Sequence, residues 1–272
     1  GFGQTGPYAP RPGYDGLIQA MGGVMSLTGV PDGEPMKVAV PICDLMAGMY
    51  ASVGILAAVR HQAETGEGQF IDIGMLDTHV GWLANQGMNY LATGENPERI
   101  GNQHPNILPY QVMPTSDGYI VLSVGNDPTF ARFCKLAECE ELLKDERFQT
   151  NAARVSNRDL VTDTLNEITQ KKPSEWWLEN LEKEKIGSGP INTLEQVFAD
   201  PHVIAREMVI EMDHPATSSK PMRLIANPIK LSATPPTYRK PPPLLGQHTD
   251  EVLQEAGLSA DEIAKLKEDG TV

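Results

Sequence analysis

The most constraining feature of this sequence is a long apolar stretch that follows a short extended one. Residues 44–61 contain no proline and are rich in alanine, leucine and methionine, a composition typical of an α-helix. Apolar residues lie nearly all round this helix, which predicts that it is buried. Residues 37–42, just before it, are predicted to be extended. Because a second predicted strand (69–73) again precedes a predicted helix (75–91), the alternation indicates an α/β fold.

Composition excludes several classes of protein. The 272 residues include 22 Lys and Arg against 36 Asp and Glu, a net charge of −14. Since nucleic acids and anionic membranes are bound by basic surfaces, we expect neither as a partner. No uninterrupted apolar run reaches the ~18 residues of a membrane span, so we expect none. Three cysteines form no disulfide framework and indicate a reducing, cytoplasmic location.

The sequence opens on a loop rich in glycine and proline, with no secondary-structure element before it. Because of this opening, we expect that residues of a longer chain precede Gly1. No signal-peptide pattern follows Gly1. The first six residues match the pattern G-x-G-x-x-G of dinucleotide-binding sites, but Pro7, Pro10 and Pro12 prevent the helix that such a site requires.

Asp44 is the residue with the most chemical interest, because it lies where the predicted long helix begins. A carboxylate there can act as a helix N-cap, accepting backbone N–H bonds at the positive end of the dipole. It can also act as a nucleophile on a thioester and form a covalent acyl intermediate. The position of Asp44 alone leaves both interpretations open.

Cysteine and histidine offer weaker signals. A Cys43–His79 pair is conceivable, but a reactive thiol needs a partner that lowers its pKa, and the sequence shows none. This favours a buried, inert Cys43. The six histidines are scattered and have no metal-binding spacing, so we expect no metal site.

The middle of the chain carries a long predicted loop, residues 93–109, without periodicity. Its segment 101–106, Gly-Asn-Gln-His-Pro-Asn, either covers a site and donates to an oxyanion or merely crosses the surface. Beyond it, residues 111–113 and 119–124 predict a hairpin, and residues 159–169 and 173–184 predict helices. Residues 186–190 predict a break in the chain, and residues 259–262 form a capping box that opens the last predicted helix.

Several short stretches, spread over almost the whole chain, carry a family resemblance. They are GFGQTGP at 1–7, RPGYD at 11–15, AMGG at 20–23, TG at 28–29, Asp44 with Gly48, TGEGQ at 65–69, Asp72 and Ile73 with Asp77, GY at 118–119, GPIN at 189–192, DP at 200–201 and LGQHT at 245–249. Together they resemble the class III CoA-transferase family, which includes formyl-CoA transferase, carnitine CoA-transferase and the bile-acid-inducible transferases. The chain is similar to the C-terminal two-thirds of that family.

The resemblance implies a fold and an assembly. We expect a Rossmann-like large α/β domain made of residues 1–95 and 205–272, interrupted by a small α+β domain with its linkers at 96–204. Members of the family form interlocked homodimers, so we expect a homodimer here.

The resemblance also implies site residues. Asp44 matches the family's catalytic aspartate, and Arg11, Tyr14, Asp15 and Met75 match positions of the CoA pocket. The substrate loop would be supplied by Gly101, Asn102 and His104, where formyl-CoA transferase has a run of glycines. Because that run is replaced here, a formyl or oxalyl enzyme is disfavoured.

The resemblance implies that the protein transfers CoA from an acyl-CoA to a carboxylic acid. Succinyl-CoA is the expected donor. CoA thioesters would be substrates, and no permanently bound cofactor is expected. The family's racemases carry a catalytic histidine at the position of Tyr14, and a phenol with an ordinary pKa of about 10 is no base at neutral pH. A racemase or dehydratase-like enzyme of the same family and a non-catalytic CoA-binding fragment remain alternatives.

Overall fold

A computed structural model describes residues 1–217 and 220–272. The described residues form two compact units, Gly1–Ile191 and Asn192–Val272. The predicted small domain therefore contributes residues 96–191 to the first unit and residues 192–204 to the second. Joining of residues 1–95 with 205–272 in one large domain stays a prediction.

The N-terminal part of the first unit consists of helices and loops. The predicted helix 75–91 is broken in two, with a positive φ of 45° at Ala84 where the second helix begins. Gly66 ends the longest helix in a left-handed conformation (φ 81°), which glycine adopts without steric cost. The helices are α1 Asp15–Met21, α2 Val24–Leu27, α3 Ile42–Thr65, α4 Met75–Gly81 and α5 Ala84–Thr93.

The rest of the first unit is an antiparallel sheet covered by helices. The predicted hairpin is present, and a third strand pairs with its second strand at residues that were predicted to break the chain. The strands are β1 Tyr110–Pro114, β2 Tyr119–Ser123 and β3 Gly187–Pro190. The helices are α6 Asp127–Leu136, a 3-10 turn Glu140–Lys144, α7 Glu146–Gln149, α8 Asn151–Ser156, α9 Arg158–Thr169 and α10 Ser174–Lys183.

The second unit contains short helices and a two-stranded antiparallel ribbon. Its last helix begins with the capping box expected at Ser259, whose hydroxyl accepts from the N–H of Glu262 while the Glu262 carboxylate accepts from Ser259. The elements are α11 Leu194–Ala199, α12 Pro201–Ala205, β4 Val209–Met212, β5 Met222–Ile225, α13 Thr249–Glu255 and α14 Ala260–Glu268.

Two predicted strands are not formed in the described part of the chain. Residues 37–41 and 69–73 are non-helical but pair with no other strand there, and both sheets are antiparallel. A segment becomes a strand only when a neighbour accepts its hydrogen bonds, and the described residues offer none. Mixed helix and sheet is present as expected, whereas a parallel Rossmann-like sheet is absent from residues 1–217 and 220–272.

The prediction that the long apolar helix is buried is wrong for the described structure. Within α3, Cys43 alone is buried, while Val53 and Leu56 are 63% and 71% exposed. The helix contacts α1 and α4, and most of its apolar circumference faces away from any described residue.

The same helix bears on the expectation of no membrane span. Ile42–Thr65 is long and apolar enough to cross a membrane, and 6% of its most apolar stretch is buried. Gly48, Ser52 and Gly54 interrupt the apolar run, so no uninterrupted run is as long as a membrane span, although the mean hydropathy of the helix remains high. One such helix is weak evidence for a membrane span, since core helices of other proteins have the same composition and length.

The core of the sheet-containing part surrounds a buried arginine. Arg154 has no exposed surface and lies over the ring of Phe130, 4.3 Å from its centroid. Its Nε donates to the carbonyl oxygen of Leu108 at 2.7 Å, and its Nη1 donates to that of Phe148 at 2.8 Å. Its Nη2 donates to Asp127 at 2.8 Å, so the charge is paired and the guanidinium ties three segments together.

We predict that Arg154→Met lowers the free energy of unfolding by about 2–4 kcal/mol, because two buried carbonyls lose their donor. Arg147→Met is the control, since Arg147 pairs with Asp145 at the surface and its loss should leave the free energy of unfolding nearly unchanged. Urea unfolding followed by tryptophan fluorescence measures both. Equal effects of the two substitutions would contradict the structural role of Arg154.

Candidate active site

Three helices meet at the first turn of α3, and Cys43 lies where they meet. Its backbone N–H donates to Asp15 Oδ1 on α1 at 2.8 Å. Its Sγ lies 3.2 Å from Nδ1 of His79 on α4. Cys43 also belongs to a small hydrophobic core with Phe2 and Ile18. The first turn of α3 is therefore fixed by both of the helices that it contacts.

The N-terminus of α3 is capped from outside the helix. The residue before it is Pro41, and no side chain at that position accepts a hydrogen bond. The Asp15 carboxylate accepts the N–H of Cys43 instead, while its Oδ2 accepts from Gln19 Nε2 at 2.7 Å. Gln19 Oε1 accepts the N–H of Val38 at 2.8 Å, which holds the segment that leads into α3. One hydrogen-bonded chain thus aligns α1 with the start of α3.

This arrangement leaves the carboxylate of Asp44 without a hydrogen bond from the described residues. Asp44 is the third residue of α3 and is exposed, and its side chain accepts no hydrogen bond within the described residues. The interpretation of Asp44 as the helix cap is therefore wrong, because Asp15 performs that task. A carboxylate at the positive end of a 24-residue helix, with its lone pairs uncommitted, can attack an electrophile.

The Cys43–His79 pair that the sequence only made conceivable exists, but it is not a thiolate–imidazolium pair. Burial above all, and then the negative charge of Asp15, raises the pKa of Cys43 to about 11. Burial lowers the pKa of His79, although the charge of Asp15 acts in the opposite direction. A protonated thiol therefore lies beside a neutral imidazole at neutral pH, which supports the inert Cys43 expected from the sequence.

The expected CoA-pocket residues occupy different environments. Asp15 and Met75 lie at the first turn of α3, Asp15 as its cap and Met75 packed against the small core around Cys43. Tyr14 immediately precedes α1 and is 73% exposed. Arg11 lies over the ring of Tyr8, 3.9 Å from its centroid. The structure places Asp15 and Met75 beside Cys43, the residue that precedes Asp44, and a phosphate contact of Arg11 stays a prediction.

The loop at residues 101–106 is ordered by His104. The imidazole stacks on Tyr110, with 5.2 Å between ring centroids, and its Nδ1 accepts from the N–H of Asn106 at 3.1 Å. Burial above all, and then the charge of Arg158, lowers the pKa of His104, so the ring is a neutral acceptor at neutral pH. His104 is thus part of the internal structure of the loop.

The backbone N–H groups of Gly101 and Asn102 differ in their hydrogen bonds. The N–H of Gly101 donates to the carbonyl oxygen of Gly29 at 3.1 Å, whereas that of Asn102 has no backbone acceptor among the described residues. No hydrogen bond in residues 1–217 and 220–272 joins this loop to Asp44. Oxyanion binding by the loop stays a prediction, with the N–H of Asn102 as its uncommitted donor.

In residues 1–217 and 220–272, no three His, Cys, Asp or Glu side chains are grouped as metal ligands.

The sequence did not predict the roles of two residues of this site, Gln19 and Gly22, although Gly22 lies in the AMGG stretch of the family resemblance. Gln19 reads as one polar residue in an apolar stretch, and its hydrogen bonds across 19 residues have no local signal. Gly22 has a φ of −83°, which any residue adopts, so its backbone does not require glycine. A Cβ on Gly22 would lie 2.1 Å from Cδ2 of His79, and the imidazole occupies that space.

Comparison with known proteins decides the family. The model of CoA-transferase family III matches residues 1–249. The chain belongs to this family. As a CoA-transferase family III chain, it is 44% identical over 255 residues to the succinate–glutarate CoA-transferase of Agrobacterium fabrum. It is 37% identical over 255 residues to the succinyl-CoA:glutarate CoA-transferase of Homo sapiens.

A solved structure has the same fold as this chain. A CAIB/BAIF family protein from Brucella suis is 44% identical, with a TM-score of 0.77 over 94% of this chain and 66% of the other. The match to the two curated relatives covers 94% of this chain in each case. The chain spans 63% of the length of the Agrobacterium protein and 58% of that of the human one.

We predict that Gly22→Ala displaces His79 and destabilises the protein by about 1–3 kcal/mol, the usual effect of overpacking a core. Gly16→Ala in α1, the helix that ends at Gly22, is the control, because nothing lies within 4 Å of a Cβ there. Alanine has the better helix propensity, so this control should be neutral or stabilise by up to about 1 kcal/mol. Urea unfolding compares the two, and a stable Gly22→Ala protein would show that the imidazole is free to move.

Proposed function

We propose that this protein is a CoA-transferase that moves CoA from an acyl-CoA, with succinyl-CoA as the donor, to a carboxylic acid through covalent intermediates on Asp44. The observation that carries the proposal is the uncommitted carboxylate of Asp44 at the N-terminus of α3, with the capping task taken by Asp15. The names of the relatives support the reaction class and the donor, since both act on succinate or succinyl-CoA and glutarate.

The first half-reaction removes CoA from the donor. A carboxylate oxygen of Asp44 attacks the thioester carbonyl, and the C–S bond breaks to release the CoA thiolate and leave a mixed anhydride. The thiolate then attacks the carbonyl carbon of Asp44 and expels the donor acid as its carboxylate. Asp44 now carries CoA as an aspartyl thioester, and no net charge has been gained or lost.

The second half-reaction repeats these steps with the acceptor. The acceptor carboxylate attacks the aspartyl thioester, which forms a new mixed anhydride and frees the CoA thiolate again. Attack of the thiolate on the acceptor's carbonyl gives the new acyl-CoA and restores the Asp44 carboxylate. Each tetrahedral intermediate places negative charge beside the first turn of α3, where the helix dipole favours it.

The other parts of the proposal concern assembly and surroundings. We propose a cytoplasmic homodimer with acyl-CoA and a small carboxylic acid as ligands and without a permanently bound cofactor. A dimer gives twice the chain mass in light scattering of the protein expressed from its complete gene. A monomer under assay conditions would exclude this part of the proposal.

Product analysis tests the function as a whole. The protein expressed from its complete gene is incubated with succinyl-CoA and a panel of carboxylic acids, and thioesters are identified by mass spectrometry. We expect CoA to move to at least one dicarboxylic acid. A changed configuration at the α-carbon without transfer would indicate a racemase, and bound but unchanged acyl-CoA would indicate a binding protein.

Asp44→Asn isolates the nucleophile. The amide keeps the shape of the side chain but loses the attacking oxyanion, so we expect transfer to fall by about three orders of magnitude or more. Stability should change by about 1 kcal/mol or less, the size of one charge–dipole interaction. Asp159→Asn makes the same change in the first turn of α9 and should leave transfer unaltered.

Trapping gives the second measurement for Asp44. Hydroxylamine added during turnover should convert Asp44 to a hydroxamate, which peptide mass spectrometry locates. Full activity of Asp44→Asn, or label on Cys43 instead, would refute the assignment.

A further inference from the structure

His79 is buried although one of its ring nitrogens has no hydrogen-bond partner among the described residues, which lowers the stability of the protein. It is 3% exposed, and its Nε2 has no hydrogen-bond partner among the described residues. Cys43 Sγ and His79 Nδ1 form one hydrogen bond, and in either tautomer of the neutral ring Nε2 is left as a buried polar atom without a partner. A buried polar atom without a partner costs free energy, whereas a leucine or methionine at this position would leave no polar group unpaired.

The imidazole is held in one orientation. The missing side chain of Gly22 provides the space for its Cδ2 edge, and α4 carries it towards α3. Its Nδ1 is thereby kept at 3.2 Å from the sulfur of Cys43. Cys43 is in turn held at its backbone by Asp15, so both the main chain and the side chain of this residue are fixed.

The direction of Cys43 decides the direction of Asp44. Successive residues of an α-helix are rotated by about 100° around its axis. When Cys43 points inward to His79, Asp44 must point away from the small core, as its exposure shows. A rotation or fraying of this first turn would change the aim of the Asp44 carboxylate before it disturbed the rest of α3.

From these contacts we propose that His79, acting through Cys43, is a positioning residue that sets the direction of the Asp44 carboxylate during CoA transfer. The inference rests on the proposed function of Asp44. Four attacks in each turnover, two of them by the CoA thiolate on alternative carbonyls, need reacting atoms at about 3–3.5 Å with correct alignment. The Cys43–His79 bond supplies this alignment and leaves the exposed surface of Asp44 to the substrates.

The test separates positioning from folding. Cys43→Ala and His79→Leu are prepared in the protein expressed from its complete gene, and hydroxylamine trapping counts the active sites. We expect kcat per active site to fall about 10- to 100-fold, while KM for succinyl-CoA changes less than about threefold. The double variant should be no slower than the slower single variant, because both substitutions remove one interaction.

Conservative variants test the chemistry of the bond. In His79→Asn the amide oxygen lies near the position of Nδ1 and can accept from the thiol, and Cys43→Ser keeps a donor. Both should retain kcat within about fivefold of the wild type, because the hydrogen bond survives. Cys134→Ala is the control for a buried cysteine, since Cys134 is equally buried in the other core of the first unit and should leave kcat unchanged.

The outcomes distinguish this inference from the proposed function. A wild-type protein without transfer, or a fully active Asp44→Asn, overturns both. With transfer present and Asp44→Asn inactive, an unchanged kcat per active site in Cys43→Ala overturns the positioning role alone. Losses that multiply in the double variant would also overturn it. Should His79→Leu fail to fold, the smaller Cys43→Ala and Cys43→Ser changes decide the same question.

Discussion

The arrangement of the candidate site depends on one hydrogen bond, from the N–H of Cys43 to the carboxylate of Asp15. A helix that begins after Pro41 leaves its first N–H groups without partners, and a buried helix end needs them satisfied. By taking this task, Asp15 ties α1 to α3 and leaves Asp44 uncommitted. A residue expected in the CoA pocket therefore acts first on the backbone beside the candidate nucleophile.

The two ends of α3 have contrasting environments. Its first turn is fixed by polar contacts in a small core, whereas the remaining turns expose large apolar side chains such as Val53, Leu56 and Val59. Apolar surface of this extent is normally covered by other protein or by lipid. The chain spans 58–63% of the length of its two curated relatives named above, and the described residues do not cover this face.

Agreement between sequence and structure follows the range of the interactions. The capping box at Ser259, the hairpin at β1 and β2, and helices such as α9 and α10 are set by residues close together in sequence, and they were predicted with bounds correct to within two residues. Strand β3 was missed, because Gly187–Pro190 contains two glycines and a proline and becomes a strand only by pairing with β2. The burial of α3 was also predicted wrongly, because an apolar composition shows that a helix is suited to burial but does not show whether another segment covers it.

The sequence by itself determined the family resemblance, the position of Asp44 at the start of a long helix and the mixed helix and sheet. These follow from short motifs and local periodicity, which a linear chain displays directly. Tertiary structure alone decided that Asp15 rather than Asp44 caps the helix, that His79 lies against Cys43 across 36 residues, and that Gly22 makes room for that ring. Contacts between distant segments depend on which helices pack together, and the periodicity of a sequence shows which face of a helix is apolar but not which segment lies against it.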